Sequence, residues 1–186
     1  MGEKLFLALC ESAIIMTTTG CVRFDKDGRH VCRKTTDTGS RVEAVIPMSK
    51  EDFEDCERAV DRLIPPPGIE TYYNGELVAI RRPVLTFTEQ LETEYAGEDG
   101  VLKPTWRKVK VRLYEPGPDE TAHIYEMGIP VVPLEGGDKW HLDVQQKVPL
   151  NMNRDNVRPA YLRALRVHTL NHAHGQLDGK EEATAP

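Results

Sequence analysis

The sequence predicts an α+β fold, in which three helices are combined with a larger number of short strands. Residues 3–10, 49–63 and 156–171 place apolar side chains at helical spacing. Runs of β-branched and aromatic residues, divided by Gly, Pro, Asn and Asp, predict strands in the rest of the chain. Asn74-Gly75 lies between two such runs and suits the two positive-φ positions of a type I′ hairpin turn.

The composition is that of a folded protein with a modest excess of acidic residues. The chain has 186 residues, of which 39% are apolar and 29% charged, enough for one good core or two small ones. Its formal net charge of -6 argues against non-specific coating of DNA as its main role. Any anion-binding site must therefore be local.

The cysteines and the hydropathy pattern predict free thiols, a cytoplasmic location and no membrane span. Cys10, Cys21, Cys32 and Cys56 show no C-x-x-C spacing, so free thiols in a reducing compartment are expected rather than disulfides or zinc ligands. No apolar run reaches the roughly 20 residues that a membrane helix needs.

The first part of the chain is expected to hold a short helix, three antiparallel strands and a capped helix. The strands are predicted in the runs AIIMTTTG, CVRFDKDG and SRVEAVIPM. Ser49 and Asp52 have the spacing of a capping box, and Phe53, Cys56, Val60 and Leu63 share one helical face. The Pro-Pro-Pro-Gly run at 65–68 then predicts units at 1–67 and 68–174, with a disordered tail at 175–186.

The second part is expected to be rich in strands and to end in a helix. Strands are predicted at 84–93, 106–114, 123–125, 129–134 and 139–144, the last two joined by the turn EGGD. Gly128 is interpreted as a bulge and Pro130 as an edge-strand residue. In the final helix, Val157, Ala160, Tyr161, Ala164 and Leu165 form the apolar stripe.

Two cations lie on the loop that enters this last helix, in the run QQKVPLNMNRDN. If Asp155 or Asn156 caps the helix, Lys147 and Arg154 lie beside a helix N-terminus, where free N–H groups and cations together favour a phosphate. The alternative is that both are solvated surface cations, with Arg154 paired to Asp155 or Asp143.

The same loop carries a family resemblance. VPLNMNRDNV resembles the Pro-Leu-Asn-x-x-Arg-acidic loop in the middle domain of heat-shock chaperone ATPases, whose arginine contacts the γ-phosphate of ATP. Arg154 is the matching position. QQK at 145–147 is similar to the Gln-Thr-Lys loop of gyrase B, with Lys147 in the place of its phosphate-contacting lysine and Gln146 where that family has threonine.

The start of the chain resembles the same GHKL superfamily, which includes gyrase, heat-shock chaperones, histidine kinases and MutL. GEKLFLALCESAIIMTTTG is similar to the segment in which the ATP lid closes onto a helix and enters the sheet. The resemblance makes Gly2 and Lys4 the end of the lid. It also implies that residues 1–67 are the end of a Bergerat-type α/β sandwich and that a β-rich, transducer-like β-α-β unit follows.

The resemblance implies an ATPase function and assigns roles to particular residues. Lys147 and Arg154 are the implied catalytic residues, and Gly2, Lys4, Gln145 and Asn151 are the implied contacts to ATP. The family's Glu/Asn helix and Asp-x-Gly-x-Gly turn are not in this sequence. ATP and Mg²⁺ are therefore expected to be bound by an upstream half, in the same or a separate chain, and a homodimer is left open. The alternative is a non-enzymatic module that binds protein or DNA.

Three other features have simpler interpretations. His168 and His172 have the i, i+4 spacing of a metal-chelating pair, although a polar helix end commonly carries histidine. Arg158, Arg163 and Arg166 form a basic flank that is more typical of a solvated face than of a nucleic-acid interface. Glu126 has no paired acid in the sequence to support catalysis. A G-x-S-x-G elbow and a Walker loop are both missing from the sequence.

Overall fold

A computed structural model describes residues 2–98, 100–151 and 156–176, with the backbone alone described for residues 2–5 and 176. The chain forms two compact units, Met1–Glu57 and Arg58–Pro186. The division lies within a helix, whereas the sequence predicts a boundary after residue 67. Helices and strands are both present, which confirms the predicted α+β class.

The first unit is built on one antiparallel sheet. Helix α1 (Gly2–Leu9) precedes strands β1 (Ser12–Thr17), β2 (Cys21–Asp25), β3 (Gly28–Cys32) and β4 (Ser40–Val45), in the spatial order β3-β2-β1-β4. Three strands were expected and four are found. The missed strand β3 is short and mostly exposed, and its sequence, GRHVC, lacks the alternation of apolar and polar residues that marks a half-buried strand.

Helix α2 (Lys50–Val60) begins with the predicted capping box. The amide of Asp52 donates to Ser49 Oγ at 3.1 Å, and the amide of Ser49 donates to Asp52 Oδ2 at 3.3 Å. None of its residues is buried, and Leu63 of the predicted stripe lies beyond its end. The cap fixes where this helix starts, but its apolar face remains exposed.

The prediction of four free thiols is wrong for two of them. Cys21 and Cys32 lie opposite each other on β2 and β3 and form a disulfide, with Cα atoms 5.0 Å apart. Cys10 and Cys56 are free thiols. Residues directly opposite in an antiparallel pair come within disulfide distance, and sequence spacing does not display that pairing when a strand is missed. The prediction of a cytoplasmic location loses the support of four free thiols.

The second unit contains a small hairpin and a five-stranded sheet. Strands β5 (Tyr72–Tyr73) and β6 (Glu76–Leu77) flank Asn74 and Gly75, whose φ angles of 50° and 85° confirm the predicted type I′ turn. The larger sheet has the order β10-β9-β11-β8-β7. Its strands are β7 (Leu85–Ala96), β8 (Leu102–Tyr114), β9 (His123–Glu126), β10 (Ile129–Pro133) and β11 (His141–Val144).

The last strand, β11, lies in the middle of this sheet. It runs parallel to β9 and antiparallel to β8, so the EGGD connection does not form a hairpin between β10 and β11. All four residues of β11 are buried, as expected for a strand with neighbours on both sides. Pro130 lies on β10 at the sheet edge, as predicted. The predicted bulge at Gly128 is wrong. Met127 and Gly128 instead form the turn between β9 and β10, with φ angles of 51° and 85°, respectively.

Helix α3 (Pro159–Ala173) and the sheet enclose the main core of this unit. The helix begins at Pro159 with Arg158 at the N-cap position, which is later than the predicted Asp155 or Asn156 cap. The buried core includes Leu91, Val111, Leu113, Ile124, Leu142, Val144, Val148, Val157, Tyr161 and Leu165. A 3₁₀ turn, His174–Gln176, follows where the tail was expected to begin, and residues 177–186 lie outside the described residues.

None of the helices in the described residues is long and apolar enough to span a lipid bilayer.

Candidate functional site

The loop that follows β11 is held rigidly along its backbone. The Gln146 side-chain amide donates to the carbonyl oxygens of Leu91 and Glu92, at 3.3 and 3.1 Å. Thr93 Oγ1 donates to the carbonyl of Lys147 at 2.8 Å. Together these bonds hold the loop against β7. The Gln146 side chain therefore has a structural role here.

A second set of contacts attaches the loop to the sheet centre. The amide of Val148 donates to Glu126 Oε2 at 2.8 Å, and Val148 itself is fully buried. The amide of Gln145 donates to the Lys110 carbonyl at 3.0 Å, and its side chain donates to Asp143 Oδ2 at 2.6 Å. Glu126 therefore positions the backbone of the loop at Val148, and the Gln145 side chain points to the buried carboxylate of Asp143.

Asp143 lies at the buried end of this arrangement. Burial raises the pKa of its carboxyl group, against the opposing effects of the Gly128 amide and the Arg112 guanidinium. The Gly128 amide donates to Asp143 Oδ1 at 2.9 Å, and Arg112 Nη1 lies 3.7 Å from Oδ2. This acid links β11 to the β9–β10 turn. The alternative pairing of Arg154 with Asp143 is not required to satisfy this carboxylate, and Arg154 lies outside the described residues.

The Lys147 side chain extends from this loop into a group of charged side chains on β7 and at the start of α3. Its Nζ lies 2.8 Å from Glu94 Oε2, and its side chain is 41% exposed. Arg158 also binds this group, with Nη2 2.8 Å from Glu94 Oε1 and Nη1 2.8 Å from Glu92 Oε1. Two cations and two carboxylates thus form one network between β7, the loop and the start of α3.

Backbone bonds join the residues on either side of positions 152–155, which lie outside the described residues. Leu150 and Val157 form an isolated antiparallel bridge, and the amide of Asn151 donates to the Asn156 carbonyl at 2.8 Å. The amide of Arg158 donates to the Pro149 carbonyl at 3.2 Å. The described residues 149–151 and 156–158 are therefore held together by backbone hydrogen bonds.

The predicted site residues are distributed unevenly in the structure. Gln145, Lys147 and Asn151 lie together on the loop of the second unit. Arg154 lies outside the described residues. Gly2 and Lys4 belong to α1 of the first unit, where Gly2 is the first helical residue, and their side chains are not described.

A partly buried polar cluster that the sequence did not reveal lies at the other end of β11. Arg81 donates to both oxygens of Glu120, at 2.7 and 2.5 Å, and to the Asp61 carbonyl at 2.8 Å. His141 Nε2 lies 3.2 Å from Glu120 Oε2, while the His123 amide donates to Nδ1 at 3.0 Å. The Nδ1 atom therefore accepts, and Nε2 carries the proton that is donated to Glu120.

The ionisation of this cluster follows from the same contacts. Hydrogen bonds from Arg81 hold the pKa of Glu120 far below its ordinary value. Burial lowers the pKa of His141, which favours the neutral ring. A cleft of about 260 Å³ opens beside the cluster, lined by Arg62, Asp119, Thr121, His123, Tyr125 and Pro133 among others. No motif connects Arg81, Glu120 and His141, because they are distant in sequence.

The histidine pair on α3 has a carboxylate neighbour that the sequence did not reveal. Glu89 Oε1 lies 2.9 Å from His172 Nε2 and 3.5 Å from His168 Nδ1, and the His172 ring stacks on Phe87 at 4.5 Å. Among the described residues, however, no group of three His, Cys, Asp or Glu side chains is arranged to hold a metal ion. The histidines attach α3 to β7.

Comparison of the chain with protein-family models, with curated proteins and with solved structures found no match. Function must therefore be argued from the geometry of the loop and from the resemblance in its sequence.

Proposed function

We propose that the chain is the C-terminal portion of a GHKL-type ATPase. In this proposal the loop after β11 contacts the γ-phosphate of an ATP molecule held by a separate nucleotide-binding half. Lys147 and Arg154 are the catalytic cations, and Gln145 and Asn151 belong to the same loop. Gly2 and Lys4 belong to the ATP lid. The observation that carries the proposal is Lys147, a partly exposed ammonium on a backbone fixed from both sides.

The fixed backbone supports a role in phosphate recognition. A cation that stabilises charge in a transition state is most effective when the protein has positioned it in advance. The Lys147 carbonyl and the neighbouring Gln146 and Val148 are each held by hydrogen bonds, at 2.8 to 3.3 Å. Only the flexible end of Lys147 must move to reach a phosphate oxygen.

The ion pair with Glu94 is compatible with exchange for a phosphate. A partly exposed lysine–carboxylate pair contributes only about 0–1 kcal/mol, so releasing Lys147 costs little. Arg158 stays on the other oxygen of Glu94 and keeps that carboxylate paired. In this proposal Lys147 exchanges Glu94 for the γ-phosphate when the nucleotide-binding half docks.

The chemical role of the loop is neutralisation of charge. Phosphoryl transfer spreads negative charge over the oxygens of the γ-phosphate, and lysine and arginine side chains stabilise that charge. A lysine acts as a point charge, and an arginine can donate two parallel hydrogen bonds. We assign adenine and Mg²⁺ binding to the other half. The sequence lacks the Asp-x-Gly-x-Gly turn of the GHKL ATPases.

The alternative is a non-enzymatic module that binds protein or DNA through the sheet and α3. The charges of α3 weigh against DNA. Arg166 donates to both oxygens of Asp138, at 3.0 and 2.6 Å, and Arg158 is bound by Glu92 and Glu94. A basic flank in which two of the three arginines, Arg158 and Arg166, are paired within the fold offers little net charge to phosphates.

The proposal is tested by ATP hydrolysis with the nucleotide-binding half present. We expect the reading frame upstream, or a co-purifying chain, to carry the Glu/Asn helix and the Asp-x-Gly-x-Gly turn. In that assembly, Lys147→Ala combined with Arg154→Ala should lower kcat at least about a hundredfold, with little change in KM. Lys108→Ala, which removes an exposed lysine of β8, is the matched control. An unchanged kcat in the double variant rejects the assignment.

A further inference from the structure

Strand β4 is an open edge of the four-stranded sheet. Among the described residues it pairs with β1 alone, in a continuous register from Ser12–Val45 to Thr17–Ser40. All six of its residues are exposed. The strand contains neither proline nor lysine, and its register with β1 has no bulge. Proline, lysine and bulges commonly block an exposed edge from pairing with another chain, and of the edge-blocking devices this strand carries only two charged residues, Arg41 and Glu43.

One face of this sheet carries an aliphatic row that ends at the same edge. By the strand registers, Val31, Val22, Ile15 and Val42 lie side by side across β3, β2, β1 and β4. Val31 is 82% exposed and Val42 is 56% exposed. The opposite face carries the disulfide, Arg41 and Glu43. Burial of this exposed aliphatic row against another apolar surface is therefore favourable.

The charges of β4 are complementary to themselves. Two copies of β4 can pair antiparallel about a two-fold axis through Val42. Val42 then lies opposite Val42 of the second chain, and Arg41 of each chain lies opposite Glu43 of the other. An axis through Arg41 or through Glu43 would instead place like charges together. An axis between Val42 and Glu43 leaves Arg41 opposite Ala44. Only the register centred on Val42 satisfies both charges.

The side chains concerned are accessible for this pairing. Arg41 Nε lies 2.7 Å from Glu43 Oε1 along the strand, yet the two side chains are 69% and 50% exposed. The other edge, β3, contains Arg29 and His30 but no acidic residue, so it is not self-complementary. His30 is also bound to Asp25 within the sheet, at 3.2 Å.

We propose that a second copy of this chain pairs antiparallel along β4, in the register centred on Val42. The two sheets then form one eight-stranded sheet, and the aliphatic row continues from one copy into the other. This surface is independent of the phosphate-contacting loop, which lies in the other compact unit. Failure of the dimer would therefore leave the proposed ATPase role untouched, and the reverse also holds.

The test uses charge reversal and the molar mass in solution. The wild-type chain at about 50 µM should have twice the chain mass of 21.0 kDa in sedimentation or light-scattering measurements. Arg41→Glu alone and Glu43→Arg alone each place like charges opposite one another. Each should weaken the dimer at least about tenfold.

Two rescues make the test specific to the register. The double variant Arg41→Glu, Glu43→Arg restores opposite charges and should dimerise as the wild type does. Mixing the two single variants should give a mixed dimer, because every charged pair is then complementary. Arg29→Glu on β3 is the control and should leave the dimer intact. A monomeric wild type, or single variants that keep the wild-type mass, overturns the proposal. Far-UV circular dichroism of each variant confirms that it is folded.

Discussion

The ammonium of Lys147 lies 2.8 Å from Oε2 of Glu94, whose other oxygen is bound by Arg158. The Glu94 carboxylate therefore competes with any anion for Lys147. Because Arg158 still pairs with Glu94 when Lys147 leaves, replacing Glu94 by an anion requires little free energy. This relationship connects the rigid loop to the proposed role in phosphate recognition.

Glu94→Gln should strengthen binding of a phosphate chain to the loop. Removing the competing charge frees Lys147, and the affinity for inorganic tripolyphosphate should rise about two- to fivefold, the equivalent of one partly exposed ion pair. Isothermal titration calorimetry or NMR titration measures the change. Glu92→Gln is the matched control, because Glu92 binds Arg158 and leaves the Lys147–Glu94 pair in place. Equal effects of the two variants would contradict the competition.

The Glu120 carboxylate should make stability depend on pH. Because its folded-state pKa is lowered from 4.5, it stabilises the fold fully above about pH 4.5, and this contribution is lost as pH falls toward the lowered pKa. Glu120→Gln should cost about 2 kcal/mol near neutral pH through the lost bonds from Arg81. The difference between wild type and variant should shrink in acid. Urea unfolding at several pH values measures it, with the exposed Glu115→Gln as control.

Gly128 should be intolerant of a side chain for two separate reasons. Its φ is +85°, and an added Cβ would collide with the carbonyl oxygen of Ile64. Gly128→Ala should therefore destabilise the protein by at least about 3 kcal/mol. Gly137→Ala is the control, since Gly137 has a φ of +76° and open space around it, and it should cost only about 1 kcal/mol. Denaturant unfolding measures the free energy of unfolding of both variants. Similar losses of stability would mean that the structure relaxes to avoid the contact between the added Cβ and Ile64, which would contradict the prediction.

The thiol count checks the pairing of β2 with β3. The denatured, unreduced protein should contain two reactive thiols, Cys10 and Cys56, and reduction should expose Cys21 and Cys32. Alkylation followed by mass spectrometry counts them. Four reactive thiols before reduction would mean that the Cys21–Cys32 bond does not form.

Local signals predicted the elements that depend on nearby residues. The Ser49–Asp52 capping box and the Asn74-Gly75 turn were recognisable because their bonds and φ angles involve residues at most three apart. The strand positions also followed from β-branched runs. Failures began where pairing between distant segments decides the outcome.

Three such failures share one physical cause. β3 forms because β2 offers it an edge, although its own sequence is short and mostly exposed. β11 enters between β8 and β9 rather than folding back on β10, whose prolines suit an edge. Arg81, Glu120 and His141 meet only after the sheet forms, so no spacing could reveal them. Of the candidate site, Lys147 and its loop were predictable, but Glu94 and Arg158 as its partners were not.

The proposed contact between this loop and phosphate is tested most directly by NMR titration of the chain with Mg²⁺-free ATP, ADP and AMP. We predict amide shifts at residues 145–151 that decrease in that order, with dissociation constants of about 1 mM or weaker because the proposal assigns the adenine pocket to a separate half. The Lys147→Ala, Arg154→Ala double variant should lose the shifts, and Lys108→Ala should keep them. Shifts that are equal for the three nucleotides, lie outside the loop or persist in the double variant would contradict the account.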